Sequence, residues 1–202
     1  MQALEIDTPH GLARVHVHAA QRARGAVVLG HGAGGGVSAP DLAAARDAAR
    51  DEGFAVALVE QPYRVAGRRS PAPARQLDAA WVAVVRHLRE GPLAGLRHVT
   101  GGRSLGARVA CRTVAETEPI GVLCLAFPLR PPRRSGPATS RLPELDAVSV
   151  PVLVVQGDRD PFGVPPGSPT RAVVRVAGDH GLKKDLPAVG AAVGRWLAAL
   201  PT

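Results

Sequence analysis

The chain has 202 residues, enough for one domain with a full hydrophobic core. With 46% hydrophobic and 21% charged residues it is not a disordered chain, and only 3% aromatics leave the core to Ala, Val and Leu. The net charge of +8 is almost wholly arginine, scattered along the chain with no basic block interleaved with aromatics. It reads as composition bias, with no nucleic-acid partner expected.

The first residues, Met1–Asp7, carry acids and no apolar core of a signal peptide. No apolar run approaches the ~18 residues of a membrane span. A cytoplasmic protein without a membrane partner is therefore expected. Two short alternating segments, Leu4–Asp7 and Ala13–His18, predict a hairpin turning near Gly11. Ala26–Leu29 reads as a buried strand. A glycine-rich loop follows, and Pro40 and Asp41 open a helix that ends at Gly53. Phe54–Val59 is the next buried strand. After a Pro- and Arg-rich loop, Leu77, Trp81, Val84, Val85 and Leu88 fit one face of a helix stopped by Gly91-Pro92.

The run Arg97–Arg103 reads as a strand, and Leu105, Val109, Ala110 and Val114 as a helical stripe. Ile120–Phe127, Val150–Gln156 and Ala172–Ala177 are further strands. A final helix carries Val189, Val193, Trp196, Leu197 and Leu200. Cys111 falls in a predicted helix and Cys124 in a predicted strand. They read as unclustered reduced thiols, not as a disulfide framework or metal site. Strands alternating with helices imply an α/β domain over 1–202: a mostly parallel central sheet with helices on both faces. In such a sheet ligands bind beyond the carboxyl ends of the strands.

The loops at that end carry the chemistry. Gly102-Arg103-Ser104-Leu105-Gly106 is G-x-S-x-G between a strand and a helix, the form of a turn that holds a serine hydroxyl free. In a chain with 23 glycines the motif alone is weak. Its context strengthens it. A serine hydroxyl needs a base, and the base needs an acceptor to fix its tautomer. His180 is the only histidine after Ser104, and it directly follows the last strand. Asp160 and its rival Asp158 follow the strand before, in the order Ser, Asp, His. Asp160 is favoured, with Asp158 capping its own loop by accepting backbone hydrogen bonds. His31, Gly32, Ala33 and Gly34 lie in a glycine-rich turn able to aim an N–H at an oxyanion, with Leu105 N–H as a second donor. His31 is expected to brace that loop.

The ordered set resembles the α/β-hydrolase superfamily over nearly the whole chain. The segments His31–Pro40, Glu60–Arg64, Gly67–Arg69, Gly101–Arg108, Phe127–Leu129 and Gln156–Gly163 resemble the small, lidless NSL-complex-subunit and testis-expressed hydrolase-like proteins. Dienelactone-hydrolase-like esterases are broader relatives. The resemblance implies an α/β-hydrolase fold without a lid domain, a triad of Ser104, Asp160 and His180, and Ala33 as the first-loop oxyanion donor. The implied activity is hydrolysis of a carboxylic ester or thioester through an acyl-enzyme, on a small-molecule acyl substrate, with no cofactor and no metal. The alternative is a catalytically weak or inactive hydrolase-like binding or scaffold module. The oligomeric state is not specified.

Two competing readings fall away. Gly30–Gly35 matches G-x-G-x-x-G, and Glu60 ends the next strand as a ribose-binding acid would. However, Val37, Ser38 and Ala39 delay the helix to Pro40, and a dinucleotide site leaves Ser104, Asp160 and His180 unexplained. A P-loop lacks its Gly-Lys-Ser/Thr. Arg103 inside the motif, with Arg64, Arg68 and Arg69 in one loop and Arg130, Arg133, Arg134 and Arg141 in another, suggests a positive rim attracting carboxylate or phosphate substrates.

Overall fold

In a computed structural model that describes residues 2–131 and 139–201, eight strands form one sheet. Arg133 and Arg134 lie outside the described residues. β1 (Gln2–Thr8) and β2 (Gly11–His18) form the expected antiparallel hairpin, with Gly11 at φ +106° at its turn. β3 (Gly25–Gly30), β4 (Phe54–Glu60), β5 (His98–Arg103), β6 (Gly121–Leu125), β7 (Val152–Gly157) and β8 (Arg171–Val176) run parallel. Their order is β1-β2-β4-β3-β5-β6-β7-β8, so the chain reverses its direction of travel across the sheet at β3. The carboxyl ends of β3 and β5 thus flank the switch point where such sheets place ligands.

The inner strands β3, β4, β6 and β7 are almost wholly apolar because both of their faces are covered. Side chains alternate between faces with period two. Val27 and Leu29 join a core closed by α1 (Pro40–Asp51) and α7 (Leu186–Ala198), through Leu42, Ala45, Val189 and Val193. Ala26 and Val28 point the other way, into a core closed by Trp81, Val84 and Leu88 of α3 (Ala74–Glu90). Small residues on this face make room for the Trp81 ring. A Cβ on Gly30 would come within 3.2 Å of it.

The motif helix is shorter than its stripe suggested. α4 (Leu105–Arg112) stops at Thr113, whose hydroxyl donates to the Val109 carbonyl (2.8 Å), and α5 (Val114–Thr117) follows. Two short helices, α2 (Pro62–Val65) and α6 (Leu142–Asp146), were not foreseen. α4 is tied down by arginine forks, Arg108 to Glu144 of α6 (2.9 and 2.5 Å) and Arg112 to Asp78 of α3 (2.9 and 2.5 Å). Part of the arginine excess is therefore structural.

One expectation needs correction. Cys111 and Cys124 are both free and buried, but they are clustered, with their sulfurs 3.6 Å apart where α4 packs on β6. Contact with Cys111, then burial, pushes the Cys124 thiol up. No helix among the described residues is long and apolar enough to cross a membrane.

Candidate active site

Ser104 stands between β5 and α4 at φ 51° and ψ −103°, a region that costs a non-glycine residue of order 1–3 kcal/mol. Its N–H donates to the Leu125 carbonyl (2.8 Å), extending the β5–β6 ladder by one bond. The flanking glycines are required by close approach. A Cβ on Gly102 or on Gly106 would run into the Gly30 carbonyl oxygen. Ser104 precedes α4, but its side chain does not cap the helix. The hydroxyl instead lies 2.9 Å from His180 Nε2.

His180 Nδ1 lies 2.8 Å from Asp160 Oδ2. A carboxylate there selects the tautomer with its proton on Nδ1, leaving the Nε2 lone pair to accept the Ser104 hydroxyl proton. Asp160 follows β7, and its side chain is wholly buried. Its Oδ1 accepts the Phe162 N–H (2.8 Å), and its Oδ2 also accepts from Gln156 Nε2 (2.7 Å). The Phe162 ring covers the imidazole at 4.4 Å between centroids. Asp158 turns elsewhere and accepts the Gly178 N–H (2.8 Å), bracing the start of the histidine loop rather than capping its own loop as expected. The loop bearing His180 is anchored by Leu182, fully buried in the α1–α7 core.

The loop after β3 rests against the serine. A Cβ on Gly32 would stand 3.6 Å from Ser104 Cβ. His31 is buried, and burial pushes its imidazole below the ordinary range. Its neutral ring donates from Nδ1 to the Gly32 carbonyl (2.8 Å) and accepts the Gln61 N–H at Nε2 (3.1 Å). Because the peptide is planar and trans, fixing the Gly32 carbonyl also fixes the direction of the Ala33 N–H. Tyr63, its phenol pushed up to about 12 by burial, donates to the Ala33 carbonyl (2.9 Å). Neither the Ala33 nor the Leu105 N–H has an acceptor among the described residues. Gly34 is exposed, and a Cβ there would meet nothing within 4 Å, so it supports the loop without being sterically required.

Arg103 does not stand free on a rim. Its Nη2 donates to the His180 carbonyl (3.0 Å). Its Nε lies 3.0 Å from Asp41 Oδ2, off the hydrogen-bond direction, so the contact is an ion pair rather than an aligned bond. The cause is burial: Asp41 is fully enclosed at the start of α1 and needs a cation beside it. Arg64 donates to the Arg68 carbonyl (3.4 Å), while Arg68 and Arg69 are exposed. Arg141 donates to the Pro128 carbonyl (3.1 Å). Three further cations, Lys183, Lys184 and Arg159, line a cavity of about 550 Å³ with Gly178 and Asp179 of the histidine loop. Lys183 also lines a cavity of about 360 Å³ with Gly35, Gly36, Ser38, Arg103 and Gly181.

Sequence reasoning missed Gln156, Phe162, Tyr63, Gln61 and Asp41. Gln156 carried a signal, an amide ending a run of buried apolar strand residues. The partners of the others are set by tertiary structure.

The sequence profile of a family described as "Alpha/beta hydrolase domain" matches residues 23–184. No curated protein matches the sequence. Among solved structures, a serine hydrolase without a lid from Xanthomonas campestris is 22% identical at TM-score 0.76, with 99% of this chain and 96% of that one covered. An alpha-beta serine hydrolase homologue from Coxiella burnetii is 17% identical at TM-score 0.79, covering 98% and 97%. A dienelactone hydrolase from Anabaena variabilis is 17% identical at TM-score 0.78, covering 100% and 98%. At these identities the likeness speaks for the fold.

Proposed function

The chain belongs to the alpha/beta hydrolase domain family, and from that premise we propose that it is a serine hydrolase cleaving a carboxylic ester or thioester through an acyl-enzyme. The reading rests on one observation, the hydrogen-bonded series Ser104–His180–Asp160 on a strained turn. Ser104 Oγ attacks the acyl carbon as His180 Nε2 takes its proton. The N–H groups of Ala33 and Leu105, the latter at the N-terminus of α4, hold the oxyanion. Collapse expels the alcohol or thiol, which receives the proton from His180. Water then attacks the acyl-enzyme with His180 as base, releasing the acid and restoring the Ser104 hydroxyl. Asp160 keeps the imidazole oriented and stabilises its charged form.

We place the protein in the cytoplasm and in the lidless group named by its motif segments, on the sequence alone. An anionic substrate remains part of the proposal, with Lys183, Lys184 and Arg159 as the attracting charges in place of Arg103. Hydrolysis of short p-nitrophenyl esters by the wild type and by Ser104→Ala tests the main reading. Turnover is expected only in the wild type, and equal rates would remove Ser104 from the mechanism. For the anionic preference, kcat/KM of p-nitrophenyl hemisuccinate should exceed that of its neutral methyl ester at low salt. Equal values would refute it.

A further inference from the structure

Arg103 lies one residue before the serine, and its guanidinium is engaged by other parts of the chain. It meets three separate segments. Nη2 donates to the backbone carbonyl of His180 (3.0 Å), and Nε pairs with the buried Asp41 at the start of α1 (3.0 Å). The guanidinium also lies against the oxyanion loop, where a Cβ on Gly32 would meet Nη1 at 2.7 Å. Asp41 is itself fixed, since its Oδ1 accepts the Leu42 N–H (3.0 Å). The side chain of Arg103 is only 20% exposed, so these contacts are sheltered from water.

We infer that Arg103 is a positioning residue: it clamps the His180 loop to the serine turn and to α1, setting the imidazole where Ser104 needs it. This rests on the serine-hydrolase reading above. The chemistry suits arginine. A planar guanidinium reaches a carboxylate and a carbonyl in different directions at once, whereas a lysine ammonium at the end of a flexible stem does not span both. Asp160 holds the His180 ring at Nδ1, and Arg103 holds the backbone of the same residue at its carbonyl. With the second released, the ring can drift by a fraction of an ångström while the fold persists. Displacements of about 1 Å at a catalytic group cost up to ~100-fold in rate.

The test uses R103M, R103K and the double variant D41N/R103M. The double variant removes both members of the buried pair, leaves no uncompensated charge, and keeps an acceptor for the Leu42 N–H. It is expected to unfold within a few degrees of the wild type. Its kcat should fall roughly 10- to 100-fold on p-nitrophenyl acetate and on p-nitrophenyl hemisuccinate alike, with KM within about 2-fold. R103K should recover only part of the loss seen in R103M. Independently of turnover, backbone hydrogen exchange across residues 178–182 should accelerate in D41N/R103M. Wild-type kcat in the folded double variant overturns the clamp, as does a loss confined to KM of the anionic ester, which would make Arg103 a substrate contact. Unchanged exchange across 178–182 overturns it whether or not a substrate turns over. A wild type with no Ser104-dependent activity fails the hydrolase reading instead, and the exchange comparison still judges the clamp.

Discussion

Ser104 carries both the strain of the turn and the nucleophile of the proposed reaction, so stability and activity should pull apart at this position. Ser104→Gly removes the penalty of φ 51° and should raise stability by about 1 kcal/mol while abolishing esterase activity. Thermal unfolding checks this, and an unchanged or lower Tm contradicts it. The two acids near His180 should separate as clearly. Asp160→Asn removes the acceptor at Nδ1 and is expected to lower kcat by about 10⁴-fold. Asp158→Ala loses the Gly178 bond and an exposed ion pair with Arg159 (3.8 Å), and should keep activity within about 10-fold. Steady-state kinetics of the two variants decide it. At this scale Ser104, Asp160 and His180 were legible because residue type and chain order constrain them together. Arg103 was misread because its partners, Asp41 and the His180 carbonyl, are 62 and 77 residues away in sequence, and only the fold brings them beside it.

Among the elements, the serine turn depends on how closely β3, β5 and α4 approach one another. Gly106→Ala places a methyl against the Gly30 carbonyl, so either the helix or the loop after β3 must shift. A cost of about 1–3 kcal/mol or more is expected, read from denaturant midpoints; a wild-type midpoint would contradict the packing described. α4 also presents Cys111 to Cys124 of β6. Both sulfurs are buried, and contact and burial push the Cys124 thiol up, so both should resist alkylation in the native protein and react once it is unfolded, as mass spectrometry of iodoacetamide-treated samples would show. The six parallel strands and the long helices were legible, because buried apolar runs and 3.6-residue stripes extend over many residues. α2 and α6 were not, at four and five residues each, because about one turn of helix is too short to show a period. The meeting of the two cysteines depends on how α4 lies across β6, which residue spacing does not encode.

For the molecule as a whole, the order β4-β3-β5 brings the loop after β3 against the serine turn, while β7 and β8 bring Asp160 and His180 from one edge. The sequence told which loops lie at the carboxyl ends of the strands, but strand order is a packing outcome that makes neighbours of segments distant in the chain. The whole fold should also respond to pH through two buried imidazoles. Burial pushes His31 and His98 below their ordinary 6.5. The unfolded chain then binds protons more readily, so their contribution is complete above about pH 6.5 and is lost as pH falls through the folded values. Asp41, pushed up by burial, acts in the opposite sense, favouring the fold below its ordinary 3.8. Stability should therefore decline on acidification below pH 6.5, and His98→Gln, if it folds, should flatten that decline in urea titrations. The central claim, that Ser104 is an activated nucleophile held by His180 and Asp160, is tested most directly by intact-mass and peptide mass spectrometry after treatment with a fluorophosphonate. The expected result is one adduct on Ser104, lost in Ser104→Ala and strongly slowed in His180→Ala; an unlabelled wild type, or an adduct on any other residue, would contradict the account.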